Sequence, residues 1–178
     1  MAVANLAARS LGPGASPFRR MHLRPGRALI CVRAERARTL QVNIHHMSIG
    51  VADLDRAMAF YDRVLAPLGL AREVLFTEPT GTRSAGYGQP GQWALEDNVP
   101  FWLEERPGAS FSCPPGFHLA FGAPDAAAVH AFHAAGLAAG GTDNGPPGPR
   151  PDYGPSYYAA FLIDPDGWRI EAVADTSA

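Results

Sequence analysis

The feature of this sequence that most constrains its fold is an internal repeat. Residues 46–53 read HMSIGVAD, and residues 118–125 read HLAFGAPD. Each stretch begins with His and has an Asp seven positions later, and the two stretches are 72 residues apart. Similarity at a fixed offset indicates two copies of one supersecondary unit. We therefore expect one compact domain made of two half-domains.

Both copies predict the same order of elements. A strand with alternating apolar side chains opens each copy, at 42–51 and 116–122, and a stretch with helical apolar spacing follows it. Three shorter β-like runs then complete each half. The pattern predicts an α+β fold of two βαβββ modules, at about 42–110 and 114–174. The shorter runs are 70–77, 84–89 and 99–105 in the first half, and 141–145, 156–163 and 168–174 in the second.

Four aspartates have structural explanations. Asp53 and Asp125 stand where a helix needs an N-cap acceptor. Asp164 and Asp166 belong to a DPDG sequence, which is typical of a tight turn between two strands. We assign no chemistry to any of them.

Residues 1–40 differ in composition from the rest of the chain. Eight arginines against one acid, Glu35, give them a net charge of +7, and Gly and Pro interrupt them frequently. This composition is typical of an organellar transit peptide, with import into a chloroplast favoured over a mitochondrion. The alternative is a disordered basic tail on a cytoplasmic protein. The sequence has neither a secretory apolar core nor a membrane span, so we expect a soluble protein.

The body of the protein is acidic. Residues 41–178 hold seven arginines and 16 acids, a net charge of −9, which argues against nucleic acid as a partner. Cys31 lies in the basic segment and Cys113 is alone in the body. This excludes a disulfide framework and a cysteine metal knuckle within the body.

The repeat makes two histidines and two glutamates candidates for a shared site. His46 and His118 open matching strands, so a two-fold relation between the halves places them on opposite sides of one cleft. Strand alternation in WRIEAV directs Glu171 to the face opposite the helices, and in FWLEER it does the same for Glu104. Matching Glu104 to Glu171 requires five extra residues in the first half, which we assign to the Gly-rich stretch TEPTGTRSAG.

Imidazole nitrogen and carboxylate oxygen together suit a divalent ion such as Zn, Ni, Mn or Fe(II). Such an ion can acidify water, polarise a carbonyl and stabilise an enediolate. His45 is a competing ligand, but strand parity places it on the other face from His46, and Phe stands at position 117 in the second copy. We therefore prefer His46.

These motifs resemble the vicinal oxygen chelate superfamily, which includes glyoxalase I, fosfomycin-resistance enzymes, extradiol dioxygenases and bleomycin-binding proteins. The resemblance rests on HMSIGVADLDRAMAFYDRVLAPLGL, the HLAFGAPD repeat and YYAAFLIDPDGWRIEAV. It implies a curved sheet around a central metal cup. The family's ligand positions fall on His46, His118 and Glu171, with the variable fourth on Glu104. Close relatives often have a small residue at that fourth position.

The resemblance implies several functions. The favoured one is a metal-dependent lyase or isomerase similar to lactoylglutathione lyase, with Glu171 or Glu104 as the proton-shuttling base. If Glu104 does not reach the metal, the two His and one Glu form the ligand set of Fe(II) oxygenases, and an extradiol-type dioxygenase becomes the alternative. A third possibility is a non-catalytic protein of the bleomycin-resistance type.

The remaining candidates concern the ligand pocket and the assembly. We expect aromatic walls from Trp102, Tyr157 and Tyr158. Arg83 and Arg150, in loops that border the pocket, are candidates for holding a carboxylate or phosphate. The expected partner is a small molecule. A homodimer is possible because relatives often build each site from modules of two chains.

Overall fold

The computed structural model describes residues 44–177, which form two modules of the predicted type. The N-terminal segment expected to act as a transit peptide lies outside these residues. The first module contains β1 (Met47–Val51), α1 (Leu54–Leu65), a 3₁₀ turn (Ala66–Leu68), β2 (Ala71–Thr77), β3 (Arg83–Gly88), α2 (Gln92–Glu96) and β4 (Phe101–Glu105). The second contains β5 (Leu119–Gly122), α3 (Ala126–Ala138), β6 (Thr142–Pro149), β7 (Tyr157–Ile163) and β8 (Arg169–Asp175).

Each module folds into its own four-stranded mixed sheet. The strand orders are β1-β4-β3-β2 and β5-β8-β7-β6. In both sheets the first strand pairs in parallel with the last, and the other pairings are antiparallel. The predicted α+β fold of two βαβββ modules is confirmed. The first strand of each module, β1 or β5, is an edge strand of its sheet.

The sequence repeat corresponds to repeated structure at the same 72-residue offset. Strands β1 and β5 begin at equivalent positions, as do helices α1 and α3. Asp53 caps α1 by accepting a hydrogen bond from the Arg56 amide at 3.0 Å, and Asp125 caps α3 through the Ala128 amide at 2.8 Å. Both aspartates therefore have the structural role that their position predicts.

The two modules differ mainly in the connection before the last strand. Residues 89–100 join β3 to β4 and include the short helix α2, whereas residues 164–168 join β7 to β8. The turn between β2 and β3, residues 78–82, is short. The extra length of the first module therefore lies between β3 and β4, and assigning it to the Gly-rich stretch was wrong.

One apolar core lies beneath the helix-facing sides of both sheets. It includes side chains from α1 and α3, among them Phe60, Leu65 and Phe132, together with inward residues of the strands. A side chain at Gly136 of α3 would overlap Leu162, so the absence of a Cβ allows this helix to pack closely on β7. None of the helices within residues 44–177 is long and apolar enough to span a membrane.

The DPDG turn and the residue after it also form hydrogen bonds that connect the second module to the first. Asp164 accepts a hydrogen bond from the buried Tyr61 hydroxyl at 2.7 Å, and Asp166 accepts from the guanidinium of Arg56 at 2.7 Å. The indole of Trp168 donates to the Gly50 carbonyl at 2.8 Å. The aspartates form the turn as expected, and their side chains join it to α1, whereas the Trp168 indole joins it to β1.

Candidate functional site

His118 and Glu171 form a direct contact on the concave side of the second sheet. His118 lies immediately before β5, and Glu171 lies in β8 opposite Ala120 of β5. Nε2 of His118 is 3.1 Å from Oε2 of Glu171. The Glu171 side chain is 1% exposed, whereas that of His118 is 48% exposed. A buried carboxylate therefore sits behind an imidazole that solvent or a ligand can reach.

The other oxygen of Glu171 is bound by Tyr157. The Tyr157 hydroxyl donates a hydrogen bond to Oε1 at 2.8 Å. Desolvation, followed by the hydrogen bond to the carboxylate, raises the pKa of Tyr157 to about 12. The phenol therefore keeps its proton near neutral pH, and both oxygens of Glu171 have a partner.

The His118–Glu171 pair has donor atoms and spacing that fit a divalent metal ion. Metal bonds to nitrogen and oxygen of about 2.1 Å, at angles near 90–110°, separate two ligand atoms by about 3.0–3.4 Å. The observed separation between Nε2 and Oε2 is 3.1 Å. This pair supplies two donors, which is half of the expected set.

His46 and Glu104 both line a separate cavity of about 330 Å³ on the first module. His45 lines it as well, and the Nδ1 atoms of His45 and His46 are 2.8 Å apart. The expectation that these two histidines lie on opposite faces was wrong. Both precede the first residue of β1, Met47, so strand alternation does not govern their side chains.

The strand register does not make Glu104 the counterpart of Glu171. Glu171 in β8 is opposite Ala120 of β5, and the residue equivalent to Ala120 in the first module is Ser48. Ser48 is opposite Trp102 of β4, whereas Glu104 is opposite Gly50. Trp102 thus occupies the position of the fourth ligand, and Glu104 lies about 7 Å farther along the strand. Glu104 instead forms an ion pair with Arg106.

The four expected ligands do not meet within one chain. The cavity that contains His46 and Glu104 is lined by residues of the first module. His118 lines one cavity with residues 116–169 of the second module and another, of about 320 Å³, with Ile44, Met47 and Phe101 of the first. Within residues 44–177 no group of three or more His, Cys, Asp or Glu side chains is arranged to hold a metal ion. Each module therefore presents an incomplete donor set.

The structure divides the expected pocket residues between the two faces of the sheets. Trp102 lines the first-module cavity, and Tyr157 reaches Glu171. Tyr158 instead contacts helix α3, where its hydroxyl is 2.7 Å from Nε2 of His130. Arg83 is the first residue of β3, not a loop residue, and its guanidinium binds Asp55 of α1 at 2.7 Å. The side chains of Tyr158 and Arg83 therefore lie on the helix-facing side of their sheets, not in the expected pocket.

Two arginines lie near the His118–Glu171 pair. Arg150 stacks over the Phe161 ring at 5.5 Å, and Arg169 lines a cavity of about 270 Å³ together with His118 and Phe161. Neither arginine has a carboxylate within 4.0 Å among the described residues. Arg169 was missed in the sequence, although it shares a strand face with Glu171 two positions later.

The match to a family model agrees with the fold. The chain belongs to the Glyoxalase/Bleomycin resistance protein/Dioxygenase superfamily, whose model matches residues 43–172. This match covers both modules and includes His46, His118 and Glu171.

Particular relatives are similar over most of the described region. A protein of Vibrio cholerae named "Probable lactoylglutathione lyase" is 31% identical over 138 residues, which are 76% of this chain and 92% of that protein. A glyoxalase/bleomycin resistance protein from Albidiferax ferrireducens has a TM-score of 0.58 at 32% identity, and the match covers 72% of this chain and 96% of the other.

Glyoxalase I from Zea mays is a third similar protein, with a TM-score of 0.58 at 26% identity. The match covers 74% of this chain but 46% of the maize chain. This chain therefore spans about half the length of the maize enzyme.

Proposed function

We propose that this protein is a metal-dependent enzyme with lyase or isomerase chemistry of the glyoxalase I type. The observation that carries the proposal is the contact between His118 and Glu171, with their donor atoms 3.1 Å apart. The similarity to a probable lactoylglutathione lyase over 92% of that protein supports this reaction class.

The complete site is formed between two copies of the chain. His46 of one copy joins His118 and Glu171 of its partner, and these are three protein ligands for one divalent ion. The absence, within residues 44–177, of a group of three or more such side chains that could hold a metal ion supports this arrangement. The free edges of β1 and β5, the strands that follow His46 and His118, also support it because they are available for contact with another copy.

Glu171 is the candidate base. Lactoylglutathione forms from a hemithioacetal when a proton moves from the carbon that bears sulfur to the neighbouring carbon. In this proposal Glu171 accepts that proton and returns it, while Tyr157 remains protonated and orients the carboxylate. When bound, the divalent ion would stabilise negative charge on the substrate oxygens.

Positive charge beside the pair favours an anionic substrate. Arg150 and Arg169 lie on the concave side of the second module without a carboxylate partner among the described residues. Although the body as a whole is acidic, this local positive charge would attract anions to the site. A glutathione conjugate carries carboxylates that suit these guanidinium groups.

One observation favours a second candidate, an extradiol-type Fe(II) dioxygenase. Trp102 occupies the register position at which a fourth ligand would stand. Two histidines and one carboxylate are the ligand set that non-haem Fe(II) oxygenases use. The identity of the bound metal separates the two candidates.

Elemental mass spectrometry of the chain purified without chelator tests the proposal, with His118→Ala as the control. We expect near-stoichiometric metal in the wild-type protein and little in the variant. Zn, Ni or Mn would favour the isomerase, and Fe would favour the dioxygenase. An absence of metal in both proteins after reconstitution would contradict both candidates and leave a small-molecule-binding protein.

A further inference from the structure

From the hydrogen bond between Tyr157 and Glu171 we infer that Tyr157 is a positioning residue that holds Glu171 as a one-oxygen metal ligand. This inference rests on the proposed function, because it assigns a role within the same site. It is based on the different partners of the two carboxylate oxygens of Glu171. Oε1 accepts the Tyr157 hydroxyl at 2.8 Å, and Oε2 alone faces His118 at 3.1 Å.

The position of Tyr157 in the sheet shows how its ring reaches Glu171. Tyr157 is opposite Asp175 in the register, whereas Phe161, four residues later, is opposite Glu171. The Tyr157 side chain therefore runs along the concave face towards the carboxylate. Ala159 lies between them on this face and is fully buried, and its small side chain leaves room for the ring.

A neighbouring aromatic side chain limits the movement of the Tyr157 ring. The Tyr153 ring packs edge-on against it, with centroids 5.4 Å apart and planes at 80°. The phenol therefore contacts both Tyr153 and Glu171 before any ligand binds. This arrangement reduces the freedom that Glu171 would otherwise have to rotate about its side-chain bonds.

Binding through one oxygen has a consequence for the site. A carboxylate that binds through both oxygens occupies two coordination positions, whereas Glu171 held by Tyr157 occupies one. The released position is available to the substrate or to water. Hydrogen bonds from groups behind a metal ligand typically change metal affinity by about 10- to 100-fold when they are removed.

The adjacent residue supplies a matched control. Tyr158 is the next residue of β7, and its hydroxyl also has a hydrogen-bond partner, His130, at 2.7 Å. It lies on the helix-facing side of the sheet, away from Glu171. Tyr157→Phe and Tyr158→Phe therefore each remove one hydrogen-bonded hydroxyl from the same strand, on opposite faces.

The test is a Co²⁺ titration of the metal-free full chain, followed by visible absorption. We expect Tyr157→Phe to bind Co²⁺ about 10- to 100-fold more weakly than the wild type, with an altered absorption spectrum. Tyr158→Phe should match the wild type in both affinity and spectrum. Circular dichroism checks folding. Tyr157→Leu, which keeps an apolar cover over Ala159, replaces the first variant if that variant is unfolded.

The outcomes separate this inference from the proposed function. Wild-type affinity and spectrum in Tyr157→Phe would overturn the role of Tyr157 while leaving metal binding intact. Equal losses in Tyr157→Phe and Tyr158→Phe would also overturn it, because they would indicate a general effect on β7. A wild-type chain that binds no Co²⁺ would overturn both the inference and the proposed metal-dependent function.

Discussion

At the scale of single residues, Glu171 is the group whose environment demands a functional explanation. A carboxylate that is 1% exposed loses nearly all of its hydration, and this is costly unless partners replace it. Here the partners are a phenol and an imidazole, Tyr157 and His118, and neither is a guanidinium or an ammonium. A divalent ion would supply the compensating positive charge.

The two candidate glutamates should respond differently to loss of charge. Glu171→Gln removes a donor in contact with His118, so metal affinity should fall by more than about 100-fold, beyond the loss typical of a group behind the ligands. Glu104→Gln should leave metal affinity unchanged, because Glu104 is opposite Gly50 and pairs with Arg106. Competition titration with a metal chelator measures both affinities. Equal losses of metal affinity in the two variants would indicate that Glu104 is a metal ligand.

Arg169 should contribute to substrate binding. Replacing it with Gln removes a guanidinium from the cavity beside His118, and KM for a glutathione hemithioacetal should rise about 10-fold or more. Arg63→Gln removes the same charge from an exposed position in the last turn of α1, so it serves as the control. Steady-state kinetics gives both values. A KM for Arg169→Gln equal to that of the control would show that Arg169 does not bind substrate.

The sequence predicted the sheet face on which each of these side chains lies, but not the residue that each one pairs with on the neighbouring strand. Alternation placed Glu104, Trp102 and Glu171 correctly on concave faces, because parity depends only on local backbone geometry. The register of a strand depends on the length of the connection that precedes it, because that length sets the residue at which pairing begins. The β3–β4 connection contains α2, whose five residues show no helical periodicity of useful length, so the counterpart of Glu171 was misassigned.

At the scale of elements, α1 and the β7–β8 turn are joined through a buried polar contact. Tyr61 is fully buried, and its hydroxyl donates to Oδ2 of Asp164, whose Oδ1 accepts from the amides of Asp166 and Trp168. Burial raises the pKa of Asp164, against the opposing effect of these hydrogen bonds. The sequence predicted the turn but not this contact, because the contact joins residues 103 positions apart.

Removing the Tyr61 hydroxyl should destabilise the fold. Tyr61→Phe leaves a buried oxygen of Asp164 without a partner, and the free energy of unfolding should fall by about 1–3 kcal/mol. Tyr87→Phe is the control, because its partner Asp62 is partly exposed and water can replace the hydroxyl. Urea denaturation measures both. Equal losses in the two variants would contradict the role assigned to burial.

The same variant should show a characteristic dependence on pH. Because the folded-state pKa of Asp164 is raised, the folded protein takes up its proton at a higher pH than the unfolded chain does. Protonation removes the buried negative charge of Asp164. The loss of unfolding free energy in Tyr61→Phe should therefore become smaller as the pH falls towards the raised pKa of Asp164. Repeating the denaturation over a pH series checks this, and a deficit that grows on acidification would contradict it.

At the scale of the whole molecule, the two repeated modules carry different candidate ligands, which the proposed function joins in one site. The first offers His46 beside an aromatic wall that includes Trp93 and Trp102, and the second offers His118 and Glu171. The repeat itself and its four-stranded sheets were predictable from the sequence. The expected convergence of the four candidate ligands is not found within residues 44–177. A repeat fixes equivalence between modules but not which copies pair.

Complementation between two inactive variants tests the central claim that the metal site is shared. His46→Ala and Glu171→Gln damage different halves, so a dimer of one chain of each has one intact site. Carrying different affinity tags, the two variants are mixed, and the doubly tagged dimer is isolated. Elemental mass spectrometry should find about half of the wild-type metal content in this mixed dimer and little in either variant alone. A metal-free mixed dimer, beside a wild-type protein that binds metal, would contradict the shared site.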